Sequence, residues 1–230
     1  MKIEVLSKTE QVRRAILVEI LSGRLRPGER LLEAQLSKEL GVSQATVNAA
    51  LQDLHNQGLV TKLLNRSTNV RRYTLDDIER IFAVRALLEP SAAAAAAASW
   101  SAKAEAGLAV QVEAMRRAAR ARDLAGFCIA DYEFHQEIYR LSGNPFLAGA
   151  AEAIAAAPFA YVLCDHPHAL PTDYAALAED HQEIIAAFGQ GPREAVRATR
   201  SRIEQWLGHS RRALKSAGVK SGKRVLELQS

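Results

Sequence analysis

Cysteine is scarce. Cys128 and Cys164 are the only two in 230 residues, and no C-x-x-C spacing joins them. That excludes a disulfide framework or a thiolate zinc cluster and fits two reduced, buried thiols. No export is expected either, because the opening "MKIEVLSKTEQ" puts acids and polar residues where a signal peptide carries its hydrophobic core. The alanine run Ala92 to Ala98 is far shorter than the roughly twenty residues of a bilayer span. The chain is therefore expected in the cytoplasm, with no membrane partner. Alternating strand patterns are absent from residue 75 onward, and no internal repeat appears. What remains is ordinary globular material, 48% apolar and 24% charged.

The charge is unevenly spread. Residues 1–73 hold 12 Lys/Arg against 7 Asp/Glu, and residues 211–230 hold 6 against 1. Between them, 12 basic residues face 18 acidic ones. A basic head on an acidic body points to a polyanion-binding unit joined to a unit with another task.

In the head, Val12, Ile16 and Ile20 make a helical stripe that stops at Ser22-Gly23 and Pro27-Gly28. Leu36 and Leu40 mark a second, short helix, and Gly41 suits the turn after it. Ser43 is a natural N-cap for a third helix with Val47, Ala50, Leu51 and Leu54 inward. Two helices about a Gly-containing turn are the helix-turn-helix pattern. "LVTKLLNRSTNVRRY" then reads as two strands about an Asn65-Arg66-Ser67 turn, a wing.

"GRLRPGERLLEAQLSKELGVSQATVNAALQDLHNQGLV" resembles the winged-helix domain of the GntR family of bacterial transcription regulators. Its PG-x-x-L, L-G-V-S and A-L-x-x-L-x-x-x-G-L-V elements fall in order across about residues 9–72. The resemblance implies binding to a double-stranded DNA operator, with Ser43, Gln44, Thr46, Asn48 and Gln52 on the recognition helix and Arg66 in the wing along the backbone or minor groove. The chain departs from the family at Gln44, Asn48 and Gln52, where arginine is common, at Ala45 for proline, and at Ser67 for a wing glycine. Arginine pairs bidentately with guanine, whereas Asn and Gln pair with adenine. An altered operator preference is expected.

From "YTLDDIERIFAVRALLEP" onward the pattern is helical, with helices predicted at 75–99, 102–121, 123–142, 145–162, 173–189 and 192–215. The fold expected is mainly α: a winged helix-turn-helix with a small β-hairpin wing, then an all-α bundle. The expected divisions are 1–73, 74–215 and a basic, disordered tail at 216–230.

The inward stripes of this body carry charge. In "CIADYEFHQEIY", Asp131 and His135 lie one helical turn apart among Phe127, Phe134 and Ile138. His181 sits among Leu177, Ile184 and Ile185, and Arg85 with Glu89 on the stripe of Ile78 and Phe82. Such groups need partners, since unpaired burial is costly. A metal, an anionic ligand or a purely internal salt-bridge network would each satisfy them. Arg85 suits a carboxylate ligand, and an intrahelical pair with Glu89 is its bland alternative.

"AVRALLEPSAA", "DYEFHQEIYRLSGNPFL" and "EDHQEIIAAFGQGPREAV" resemble the FCD ligand-sensing domain of the FadR subfamily, over about 75–215. The resemblance implies a small organic-acid effector beside Asp131, His135 and His181, for which Arg85 on the inward stripe is the expected further partner; two heads on two half-sites require a homodimer. It also implies a divalent metal (Zn, Ni or Mn) on Asp131, His135 and His181. A fourth histidine is expected where the chain has Ile203, on the inward stripe of the last helix. His166 and His168 are weak substitutes on a Pro-containing loop. The function expected is a ligand-responsive transcriptional repressor. Its alternatives are a hydrolase-like body, in which Asp and two His activate water, and a DNA-binding protein with an unresponsive body.

Overall fold

The computed structural model describes residues 7–63, 67–160 and 173–216. The expected wing turn with Arg66, the loop residues Cys164, His166 and His168, and the basic tail from 217 lie outside the described residues.

The head is built from α1 (Lys8–Leu21), β1 (Arg30–Leu31), α2 (Glu33–Leu40), α3 (Gln44–Asn56), β2 (Val60–Leu63) and β3 (Ser67–Val70). Ser7 caps α1 through the Glu10 amide, and Ser43 caps α3 by accepting from the Thr46 amide at 3.2 Å. Between α2 and α3 the chain must turn sharply, and Gly41 does so at φ +64°, where a side chain would be strained. Val12, Ile16 and Ile20 of α1 bury against Val47, Leu51 and Leu54 of α3, as the periodicity requires. The wing is not a bare hairpin. β3 pairs antiparallel with β2 on one side and with the two-residue β1 on the other, Arg30 opposite Asn69 and Leu31 opposite Thr68. Nothing in a two-residue strand has a period, so its pattern could not be seen in the sequence.

The body consists of α4 (Leu75–Ala98), α5 (Ala102–Ala121), α6 (Leu124–Leu141), α7 (Pro145–Ala155), α8 (Tyr174–Gly189) and α9 (Pro192–Ser216). Thr74 and Asp77 form a reciprocal capping box at the start of α4, and Asn144 caps α7 ahead of Pro145. The predicted helix 145–162 is interrupted at Ala156, with helix resuming at 157–160. Helices α4 and α9 pack along each other, α5 lies against α6 and α8, and α6 reaches α4 and α7. Ala92, Ala93, Ala96 and Ala97 are buried in this packing, which small side chains make close. By length and composition alone α4 could cross a membrane, yet it runs within the bundle and buries Arg85 and Glu89 there.

Head and body touch through α1 and α6, where Arg14 meets Glu133 at 3.1 Å. Helix α6 thus has two roles by position: one side carries Glu133 to the head and another carries Asp131 and His135 into the bundle.

Candidate functional site

Three helices place polar side chains around one cavity. Helix α4 supplies Arg85 and Glu89, α6 supplies Asp131, His135 and Tyr139, and α9 supplies Thr199, Arg202 and Ile203. Apolar walls come from Phe82, Ile138, Phe159, Ile184 and Trp206. Trp206 stacks on Phe82 with centroids 4.4 Å apart. The enclosed space is about 30 Å³, room for a water-sized group or two.

At its base His181, wholly buried on α8, and His135 both aim Nε2 at the same oxygen, Asp131 Oδ1, at 3.1 and 3.3 Å. The three candidate ligand atoms lie within 4.8 Å of one another. His181 Nδ1 donates to the Leu177 carbonyl at 2.7 Å, which fixes the tautomer of a neutral ring. Its Nε2 then carries a lone pair directed at a carboxylate oxygen. That contact is repulsive unless a cation, either a proton or a metal ion, lies between. Burial pushes the Asp131 carboxyl up, but the two imidazoles outweigh it and hold it well below its ordinary 3.8.

A divalent metal therefore fits the donor set: two imidazole nitrogens and one carboxylate, one ring already oriented by a backbone carbonyl. Ile203 lines the cavity where a fourth protein ligand was expected, and an aliphatic group cannot coordinate. The remaining positions would fall to water or to an effector.

Glu89 is the residue whose weight was understated in the sequence. Its Oε1 accepts from Arg85 Nε and, at 2.7 Å, from the Tyr139 hydroxyl, so the intrahelical pair does form. Its Oε2 is buried without a hydrogen-bond partner and lies 3.9 Å from His135 Nδ1. Burial raises the Glu89 carboxyl, but Arg85, His135 and Tyr139 together bring it below its ordinary 4.5. Burial and the Glu89 charge drive the Tyr139 hydroxyl well above its usual value. Thr199 Oγ1 is a second buried polar atom in this wall without a partner. Arg202 donates to Asp180 at 3.0 Å, so both arginines in the wall are already tied to a carboxylate. Cys128 is buried, and burial holds its thiol well above its ordinary range, as suits packing rather than reactivity.

The second face is on the head. Gln44, Asn48 and Gln52 are exposed on α3, with Ser43 at its cap and Thr46 half-buried, opposite the buried Val47, Leu51 and Leu54. Ser43 Oγ and Thr46 Oγ1 lie 2.9 Å apart, and Gln52 Nε2 donates to Asn56 at 3.2 Å. Asn48 Nδ2 donates to Glu33 Oε1 at 2.6 Å, a contact with no signal in the sequence pattern. Beside them Arg30, Lys62, Ser67 and Thr68 line a recess between the wing and α2. His55 is exposed, with Nδ1 3.1 Å from the Val60 carbonyl.

Residues 8–70 match the bacterial regulatory proteins of the gntR family, and residues 80–205 match the FCD domain. Over 184 residues, 80% of either chain, the sequence is 30% identical to the "Probable D-xylose utilization operon transcriptional repressor" of Paenarthrobacter nicotinovorans. It is 33% identical over 115 residues to an uncharacterised HTH-type transcriptional regulator of Agrobacterium vitis, covering 49% of this chain and 67% of that one. In fold it is similar to E. coli McbR/YncC, with a TM-score of 0.72 at 22% identity over 93% of this chain and 100% of that one. A GntR regulator from Rhodococcus sp. RHA1 follows, at 0.68 and 22% identity over 90% and 99%.

A winged head of the gntR type, carried on a helical FCD body, defines a DNA-binding transcription regulator. The chain belongs to the GntR family, in the branch whose C-terminal part is an FCD domain. Its relatives are regulators and not enzymes, which removes the hydrolase alternative.

Proposed function

We propose that the protein is a cytoplasmic, homodimeric repressor whose operator affinity is set by a small organic acid bound in the body. The division falls near residue 73, with the head on DNA and the body sensing and pairing. The observation that carries this reading is the cavity itself: charged and hydroxyl groups from three helices, two of those groups with an oxygen that lacks a partner, set among aromatic walls. Such groups are retained at a cost in stability, and a polar ligand is what would use them.

Asp131, His135 and His181 would hold a divalent metal, which supplies positive charge for an effector carboxylate. Arg85 adds a second cation, and Thr199 offers a hydroxyl for a polar substituent. An organic acid needs more than the present space, so binding requires α4, α6, α8 and α9 to part slightly. Helix α6 then shifts with its Glu133 contact to Arg14 of α1, and the setting of the head changes. An effector that favours one setting biases DNA affinity by its differential binding. Two heads on two half-sites require a dimer, and the exposed Val84 and Leu87 on α4 support a subunit contact there.

The test is a thermal-shift screen of organic and sugar acids, with and without zinc, nickel or manganese, followed by DNA-binding titrations with each hit. Stabilisation of about 2.7 kcal/mol is expected at a hundredfold excess over Kd. Ile203 and the small cavity favour a second reading, an unresponsive body. It would be established by a screen without any shift.

A further inference from the structure

Asn48 stands on the exposed face of α3, and Glu33 is the first residue of α2. The packing of α2 on α3 brings them together across fifteen positions of sequence, with Asn48 Nδ2 2.6 Å from Glu33 Oε1. A carboxylate only accepts hydrogen bonds, so the amide must turn its nitrogen to Glu33; the reverse orientation would set two acceptors face to face. Nδ2 has two hydrogens. With Glu33 taking the hydrogen trans to Oδ1, the other N–H and the Oδ1 acceptor stand side by side.

We infer that Glu33 is a specificity-determining positioning residue: it locks the Asn48 amide in the orientation that reads adenine and rejects guanine. Adenine offers N7 as acceptor and N6 as donor in the major groove, the complement of the free N–H and Oδ1. Guanine offers N7 and O6, both acceptors, so Oδ1 would oppose O6. An unrestrained amide escapes by rotating to present both hydrogens, and Glu33 forbids that rotation. The carboxylate lies in a recess that Arg30 and Lys62 also line, where their charge offsets its repulsion of the DNA backbone. This inference rests on the reading of α3 as the operator-reading helix.

The experiment selects binding sites from a random DNA pool with four full-length proteins: parent, Asn48→Ala, Glu33→Ala and Glu33→Gln. Parent half-sites should carry adenine over guanine at one position by on the order of tenfold. Asn48→Ala and Glu33→Ala should both bring that one position close to parity while other positions hold. Glu33→Gln, whose carbonyl still accepts from Asn48, should keep most of the preference. Asn48 is exposed and Glu33 half-buried, so unchanged melting temperatures confirm that folding is intact. A Glu33→Ala protein with the parent's preference, while Asn48→Ala loses it, overturns the role of Glu33 alone. If Asn48→Ala also retains every preference, or if the parent selects guanine there, the reading by Asn48 fails and the inference with it.

Discussion

Asp131 and His181 meet at 3.1 Å although they come from helices α6 and α8, fifty residues apart, and His135 approaches the same carboxylate oxygen from one turn along α6. Three donors converge, and Ile203 lines the cavity beside them. Ile203→His should therefore raise affinity for zinc, nickel or manganese, because position 203 already faces the cavity. Metal content after dialysis, parent against variant, is the readout. Equal and full occupancy in both would mean that water or another residue already completes the shell.

Arg85 is tied to Glu89 as well as facing the cavity, so replacing it has two consequences. Arg85→Ala should cost about 3–5 kcal/mol of stability by leaving a buried carboxylate unpaired, besides removing any response to an organic acid. Arg85→Lys separates the effects: it keeps a charge near Glu89 but not the planar fork. It should melt closer to the parent yet show a clearly weaker ligand-induced shift. A full shift in Arg85→Lys would count against bidentate recognition by Arg85.

Acid should loosen the body through the same pair. The Glu89 carboxyl lies below its ordinary 4.5 in the folded chain, so folding favours its ionised form. Its contribution is complete above about 4.5 and is lost as pH falls through the lower, folded value. Glu89→Gln should be less stable than the parent at pH 7, and the gap should narrow below pH ~4.5. Urea unfolding at several pH values measures this, and a gap independent of pH would show that the charge of Glu89 contributes nothing.

If the exposed side of α3 reads the operator as proposed, binding should depend weakly on salt, since Gln44, Asn48 and Gln52 on that side carry no charge. Gln44→Arg or Gln52→Arg should steepen the log–log salt dependence by about 0.9 for each further phosphate that the new arginine neutralises. Titrations across a range of salt give the slopes. No change in either variant would place these positions away from the backbone.

Local chemistry made much of this protein legible in advance. The caps at Ser43, Thr74 and Asn144 announce helix starts because each satisfies amides that the helix leaves open. The 3.6-residue period put Arg85, Asp131, His135, His181 and Ile203 on inward faces, where all five line or underlie the cavity. Both kinds of signal act within one helix, so the order of residues is enough to contain them.

Partnerships between helices were a different matter. That a buried carboxylate must be paired follows from its desolvation cost, but not which group pairs with it. Glu89 joins Arg85 of its own helix to Tyr139 of α6, and Arg202 of α9 turns to Asp180 of α8. Asn48 finds Glu33 across the turn at Gly41, and Arg30–Leu31 becomes a strand because β3 has a free edge beside it. Each depends on the rotation and register of one element against another, which is set by close packing of many side chains at once. Periodicity along the chain carries the faces of the helices; only the packed tertiary structure decides which faces meet.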